Sequence, residues 1–306
     1  MVALPLRDRF SDWGYAAGWQ VVRALPEFAA RNAFDAGALF AARGGGPGQL
    51  RKNLARVLGV APADVPDSLM RDSLASYARY WREAFRLPSM DMDALAARIE
   101  PCLLNRNHID DALAAGRGAI LALPHSGNWD MAGVWVVQHY GPFTTVAERL
   151  KPESLYQRFI DYRETLGFEM LPLTGGERPP FEVLAERLRD NKIICLMAER
   201  DLTRKVVEVD FFGEPTLMPA GAAKLAIETG AALLPVHCYN TPDSWVFDVS
   251  GPRDTASRDV GVITQALADS FAGGIAAHPA DWHMMQPQWL ADLSEEKQAR
   301  LRGVDP

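Results

Sequence analysis

Gly118-Ala119-Ile120-Leu121-Ala122-Leu123-Pro124-His125-Ser126-Gly127-Asn128-Trp129-Asp130 is an apolar run of strand length, stopped by a proline and followed by small polar residues. An uncharged run this short between breakers reads as a strand buried on both faces. Ser126 or Asn128 can cap the helix that follows. In α/β folds ligands gather beyond the carboxyl ends of the strands, so His125 stands where a catalytic residue is expected. The amide-rich helix N-terminus beside it is suited to stabilising an oxyanion.

Downstream, the rhythm of strand and helix continues. Strands are expected at 144–147, 168–173, 193–198, 233–239 and 245–249, with helical patterns at 129–139, 153–166, 180–190 and 219–229. That alternation predicts an α/β fold with a mainly parallel central sheet flanked by helices. Upstream the chain reads as helical at 48–59, 65–87 and 105–115. From Ser11 to Ala42, Trp13, Ala17, Val21, Leu25, Phe28, Phe34 and Ala38 recur at helical spacing, broken at Pro26 and ended by the glycines at 44–48. The two amphipathic helices so defined also carry Tyr15, Trp19 and Phe40, flanked by Arg7, Arg9, Arg23, Arg31 and Arg43. This mixture suits a lipid interface as well as packing on the domain. The expected organisation is a single domain over 1–306, with membrane-interacting helices in 1–60 and a catalytic core over 118–290.

Composition narrows the function classes. The 306 residues are 48% hydrophobic and 23% charged, enough apolar content for a packed core and too little charge for a disordered chain. A net charge of -7 argues against nucleic acid as the main partner, although residues 1–86 carry a balance of +4. Cys102, Cys195 and Cys238 form no Cys-x-x-Cys, so neither a disulfide framework nor a zinc site is read, and a reducing, cytosolic side is expected. No secretory signal is read at the N-terminus. The longest uncharged run, Met131 to Ala147, falls short of the ~20 apolar residues that a spanning helix needs. The glycines at 44–48 are followed by no Gly-Lys-Ser/Thr and so make no phosphate loop.

Two carboxylates compete to orient His125. Asp130 lies five residues on, which in a regular helix means side chains ~140° apart, so the two meet only if His125 stands outside the helix. Glu199 ends the apolar strand at 193–198 and should emerge at the same sheet edge. Arg163 is a candidate either to hold Glu199 or to bind an anionic group. Glu148, with Arg149, and Arg200 are candidates to bind polar groups of a substrate. For each, the alternative is an ordinary ion pair. His283 either lines a substrate pocket or packs with its neighbours, and Arg204 with Lys205 either meets phosphates or marks a solvated loop. No Gly-x-Ser-x-Gly elbow exists, and Cys195 reads as core packing, so a general-base mechanism without a covalent intermediate is expected.

Leu123-Pro124-His125-Ser126-Gly127-Asn128-Trp129-Asp130 resembles the signature of the lipid A-type acyltransferases of the glycerophospholipid acyltransferase superfamily. Met197-Ala198-Glu199-Arg200-Asp201-Leu202, the run Val209 to Pro215 and the run Pro219 to Ala226 resemble that family's downstream motif and its loop into a helix. Arg163-x-x-x-Gly167 and His278-Pro279-x-x-Trp282-His283 extend the similarity over nearly the whole chain. Within the family the chain looks most similar to the actinobacterial group acting on phosphatidylinositol mannosides. The resemblance implies transfer of a palmitoyl-type chain from acyl-coenzyme A, as co-substrate and with no cofactor or metal, onto a mannose hydroxyl. It further implies direct transfer with no acyl-enzyme, a glycophospholipid acceptor, and peripheral attachment to the cytoplasmic face of the plasma membrane. On that resemblance Arg163 could bind the head group, Glu148 with Arg149 sugar hydroxyls, and Arg204 with Lys205 coenzyme phosphates, while His283 could line the acceptor pocket. Rival readings are a lipid A-type or lysophospholipid acyltransferase with another acceptor, an acyl-thioesterase, and a lipid-binding protein without turnover.

Overall fold

The computed structural model describes residues 18–148, 153–200, 206–296 and 298. Trp13, Tyr15, Arg7, Arg9, Arg149, Arg204 and Lys205 lie outside them.

The N-terminal part is helical: α1 (18–24), α2 (Glu27–Ala41), α3 (Gly48–Leu58), α4 (Asp67–Arg86), α5 (Met92–Ile99) and α6 (Asn107–Ala114). Pro26, which has no N–H to donate, separates α1 from α2. Ala38, Leu50, Leu54, Met70 and Leu74 bury a small core where α2, α3 and α4 meet.

The strands are β1 (Leu103–Leu104), β2 (Ala119–Leu123), β3 (Phe143–Ala147), β4 (Phe168–Pro172), β5 (Ile193–Met197), β6 (Val206–Phe211), β7 (Glu214–Pro219), β8 (Ala232–Asn240) and β9 (Trp245–Val249). Seven of them form one sheet in the order β1-β9-β8-β2-β5-β3-β4, parallel throughout except where β8 meets β9. The remaining helices are α7 (Trp129–Tyr140), α8 (Glu153–Thr165), α9 (Pro180–Arg189), α10 (Gly221–Thr229) and α11 (Val260–Ala277). The α/β architecture with a mainly parallel sheet is the one expected.

Every residue of β2 is buried, as the centre of a doubly covered sheet requires. Odd-numbered side chains, Leu121 and Leu123, join the core beneath α7 and α8, while Ile120 and Ala122 join the core that contains residues of α9, α10 and α11. This alternation points successive residues of β2 to opposite faces and sends His125 out on the α7 side.

Helix α5 and the two-residue β1 add to the expected elements, and two others differ from expectation. The run 206–219 is a β-hairpin, β6 paired antiparallel with β7 across Phe212-Gly213, and only from Gly221 does the helix begin. Pro215 and Pro219 speak against a strand, but both are tolerated because β7 belongs to a two-stranded sheet. Helix α11 is the second. Its composition is long and apolar enough to cross a membrane, at a mean hydropathy of 1.3 over 18 residues, yet Ile263, Leu267, Phe271 and Ile275 are buried in the protein core. Glycines 261, 273 and 274 weaken its helical signal in the sequence.

Candidate active site

The sheet register assembles the centre of the site. Leu123 of β2 pairs with Met197 of β5, so both strands end at the same edge, and two residues further on each delivers a polar side chain. Ala198 N–H donates to the Leu123 carbonyl and holds the two exits together (2.9 Å). His125 Nδ1 lies 2.7 Å from Glu199 Oε1, and the His125 backbone N–H donates to the same oxygen (2.6 Å). Glu199 is fully buried, whereas the His125 side chain is 36% exposed. A carboxylate against Nδ1 selects the tautomer with its proton there and leaves the Nε2 lone pair available as a base.

The loop carrying His125 is clamped from several sides. Ser126 Oγ donates to the Cys238 carbonyl (2.8 Å), and Gly127 N–H to that of Asp281 (2.9 Å). Gly127 has φ +58°, and a Cβ there would stand 2.6 Å from the Cys238 carbonyl, so only glycine fits. His283 N–H donates to the His125 carbonyl (2.8 Å). Asn128 caps α7 by accepting from Met131 N–H, and its amide donates to Glu83 Oε2 (2.7 Å). Buried Glu83 also accepts from Trp245 Nε1 and Arg79 Nε, so α4 anchors the start of α7.

Asp130 is placed elsewhere than beside His125. It lies inside α7, 1% exposed, and accepts from Arg163 Nε (2.9 Å) and Nη2 (3.2 Å) and from Tyr80 hydroxyl (3.3 Å). Arg163 therefore holds Asp130 and not Glu199. Burial opposes the charge of Arg163, but Asp130 outweighs it and raises the guanidinium pKa; burial and Asp130 together raise that of Tyr80.

Beneath His125 opens an apolar cavity of about 350 Å³. His125, Asp130, Glu148, Arg163 and His283 line it together with Leu121, Leu123, Phe143, Phe168, Met170 and Cys195. Glu148 is exposed just past β3. Arg200 does not line the cavity; its Nη2 donates to Gln286 Oε1 (2.9 Å), and burial lowers its pKa. His283 is 7% exposed, and burial, with His125 nearby, pushes its pKa down to about 3. Its Nε2 lies 2.9 Å from Ser76 Oγ, which donates to Asp281 Oδ1 (2.5 Å). Cys195 stands in the cavity wall, and burial pushes its thiol up, away from a nucleophilic thiolate. Among the described residues no cluster of three His, Cys, Asp or Glu could hold a metal.

Glu83, Ser76 and Tyr80 escaped sequence reading. They belong to α4, far from His125 along the chain, and no local pattern distinguishes them from ordinary polar positions of an amphipathic helix.

A buried carboxylate on a histidine at the mouth of an apolar cavity is an arrangement for acyl chemistry on a lipid. The family model described as bacterial lipid A biosynthesis acyltransferase matches residues 4–291, and the chain belongs to that family: it is an acyltransferase. It is similar to proteins named phosphatidylinositol mannoside acyltransferase. That of Mycobacterium tuberculosis (strain H37Rv) is 71% identical over 293 residues, covering 96% of this chain and 93% of the relative. That of Mycolicibacterium smegmatis is 70% identical over 298 residues, covering 97% of each.

Proposed function

We propose that this protein transfers a palmitoyl-type chain from acyl-coenzyme A to a mannose hydroxyl of a phosphatidylinositol mannoside, with His125 as general base. The names of the relatives support the acceptor, and the pairing of His125 Nδ1 with Glu199 at the cavity mouth carries the mechanism. His125 Nε2 takes the proton of the sugar hydroxyl as its oxygen attacks the thioester carbonyl. The new C–O bond forms, the C–S bond breaks, and the proton on Nε2 passes to the departing thiolate. Glu199 stabilises the transient imidazolium, and the acyl chain lies in the apolar cavity. No acyl-enzyme forms.

The same reading places the protein at the cytoplasmic face of the plasma membrane. Val21, Phe28, Leu39 and Phe40 on α1 and α2 are exposed, and the Arg43 guanidinium sits over the Phe40 ring at 5.3 Å, a composition suited to a lipid surface.

The test is thiol release from palmitoyl-coenzyme A, with and without a phosphatidylinositol mannoside, for the wild type and His125→Ala. Acceptor-dependent release falling by about 10²-fold or more in the variant is expected, since a general base typically contributes that much. Release indifferent to acceptor would point to a thioesterase, and none in either protein would point to a lipid binder or to another acyl donor.

A further inference from the structure

We infer that a second cavity, on the far side of α4 from His125, is a binding site for a phosphate-bearing polyol, with the Arg82 guanidinium meeting the phosphate.

Two stripes of α4 face two different cavities. Tyr77, Tyr80 and Trp81 line the apolar cavity beneath His125, whereas Ser76, Arg79, Arg82, Glu83 and Arg86 line a polar cavity of about 1190 Å³. At about 100° per residue the centres of the two stripes lie about 150° apart, so the helix stands between the cavities. Residues of α2 and α5, with Asn240 and Trp245 at the β8–β9 turn, complete the polar one.

This cavity holds a guanidinium without an acceptor. Arg82 is 7% exposed, yet among the described residues it donates no hydrogen bond, and its Nε is buried with no partner. Glu27 Oε1 at 3.4 Å and Glu83 Oε1 at 3.7 Å approach it as ion pairs, out of line or out of reach of an N–H. Both carboxylates have another arginine, Glu27 with Arg86 Nε at 2.8 Å and Glu83 with Arg79 Nε at 2.8 Å. Arg82 is therefore needed to neutralise neither. A buried guanidinium whose donors go unmet is costly, and a phosphate offers it paired acceptor oxygens.

A second orphaned atom describes the rest of the ligand. Asn240 Nδ2 donates to Asp281 Oδ1 (2.8 Å) and Ser76 Oγ (3.1 Å), which leaves Asn240 Oδ1 as a buried acceptor without a donor. Exposed Asp72, Asp91 and Asp243 line the rim. Carboxylates repel a bare inorganic anion and accept from hydroxyls, so a phosphate joined to a polyol fits the whole lining where phosphate alone fits only Arg82. On α2, Glu27, Arg31 and Asp35 line the cavity, and exposed Phe28 and Leu39 lie about 60–80° round the helix from them. The cavity thus adjoins an apolar surface, and a glycerol phosphate group can reach it free or as the head group of a lipid.

Calorimetric titration of sn-glycerol 3-phosphate, glycerol and inorganic phosphate into the wild type and Arg82→Met tests the site. The wild type should bind glycerol 3-phosphate at least about tenfold more tightly than either fragment. Arg82→Met should weaken that binding by about 10- to 150-fold, the worth of charged hydrogen bonds. Arg82→Lys, which keeps the charge and loses the planar fork, takes its place if Arg82→Met does not fold. Flotation with phosphatidylglycerol or phosphatidylserine vesicles, equal in charge, separates the sources. A loss in the variant confined to phosphatidylglycerol assigns the site to a lipid head group; no loss on either, with the soluble ligand's binding weakened, assigns it to a free polyol phosphate. An equal loss on both vesicles makes Arg82 a general surface charge and overturns the site. So does a wild type that neither binds glycerol 3-phosphate nor prefers phosphatidylglycerol, binding matched by phosphate alone, or binding unchanged in a folded Arg82 variant. None of these readouts uses acyl transfer, so the inference stands or falls apart from the proposed function.

Discussion

Replacing Glu199 by glutamine removes a charge and almost no volume. Glu199 Oε1 receives two donors, the His125 ring at 2.7 Å and the His125 backbone at 2.6 Å, and the residue is fully buried. A hydrogen bond to a charged group contributes about 1.5–3 kcal/mol, so losing the carboxylate alone slows the imidazolium-forming step by about 10- to 150-fold. An amide NH₂ turned toward Nδ1 would in addition select the tautomer that protonates Nε2 and so abolish the base. In Ser-His-Asp hydrolases the equivalent exchange lowers turnover by about 10⁴ for that reason. Glu199→Gln should therefore lower kcat by about 10² to 10⁴ with KM for acyl-coenzyme A nearly unchanged, because Glu199 does not line the cavity. Thiol release at saturating acceptor measures kcat, and circular dichroism checks the fold. A kcat within about fivefold of wild type in a folded variant would refute the role given to Glu199, as would an effect confined to KM.

Two further outcomes follow from the buried charges. Arg163→Met should destabilise the protein by about 3–5 kcal/mol in urea unfolding, because it leaves the Asp130 carboxylate, 1% exposed, without its guanidinium. Adding Asp130→Leu should recover much of that loss; additive losses would show that the pair is not coupled. His283 is held neutral, its pKa lowered from 6.5 to about 3, so below pH 6.5 the unfolded chain takes up a proton that the folded protein refuses. Its contribution is complete above pH 6.5 and is lost progressively as pH falls toward 3. Stability of His283→Gln, measured between pH 7 and 4, should fall less steeply than that of the wild type, and parallel curves would contradict this account.

Much of the sheet was legible because its strands are short, uncharged and bounded by breakers, as at Ala119–Leu123 and Ile193–Met197. The hairpin at 206–219 was obscured by Pro215 and Pro219, and α11 by its glycines. The site was legible in its residue types and not in its pairings. Asp130 is sequence-near to His125 and Glu199 is not, yet the helical turn of α7 carries Asp130 away to Arg163 on α8.

By itself the sequence determined the alternation of strand and helix, the position of His125 at a strand end, and the two carboxylates able to serve it. Those follow from local physics: side-chain periodicity, proline and cap chemistry. Only the tertiary structure decided between the carboxylates, because the pairing of β2 with β5 brings residues 125 and 199 within hydrogen-bonding distance. It alone also placed α4 behind the loop that carries His125 and assembled the apolar cavity beneath it. Contacts between distant segments depend on strand order and register, which the pattern within any one segment does not encode.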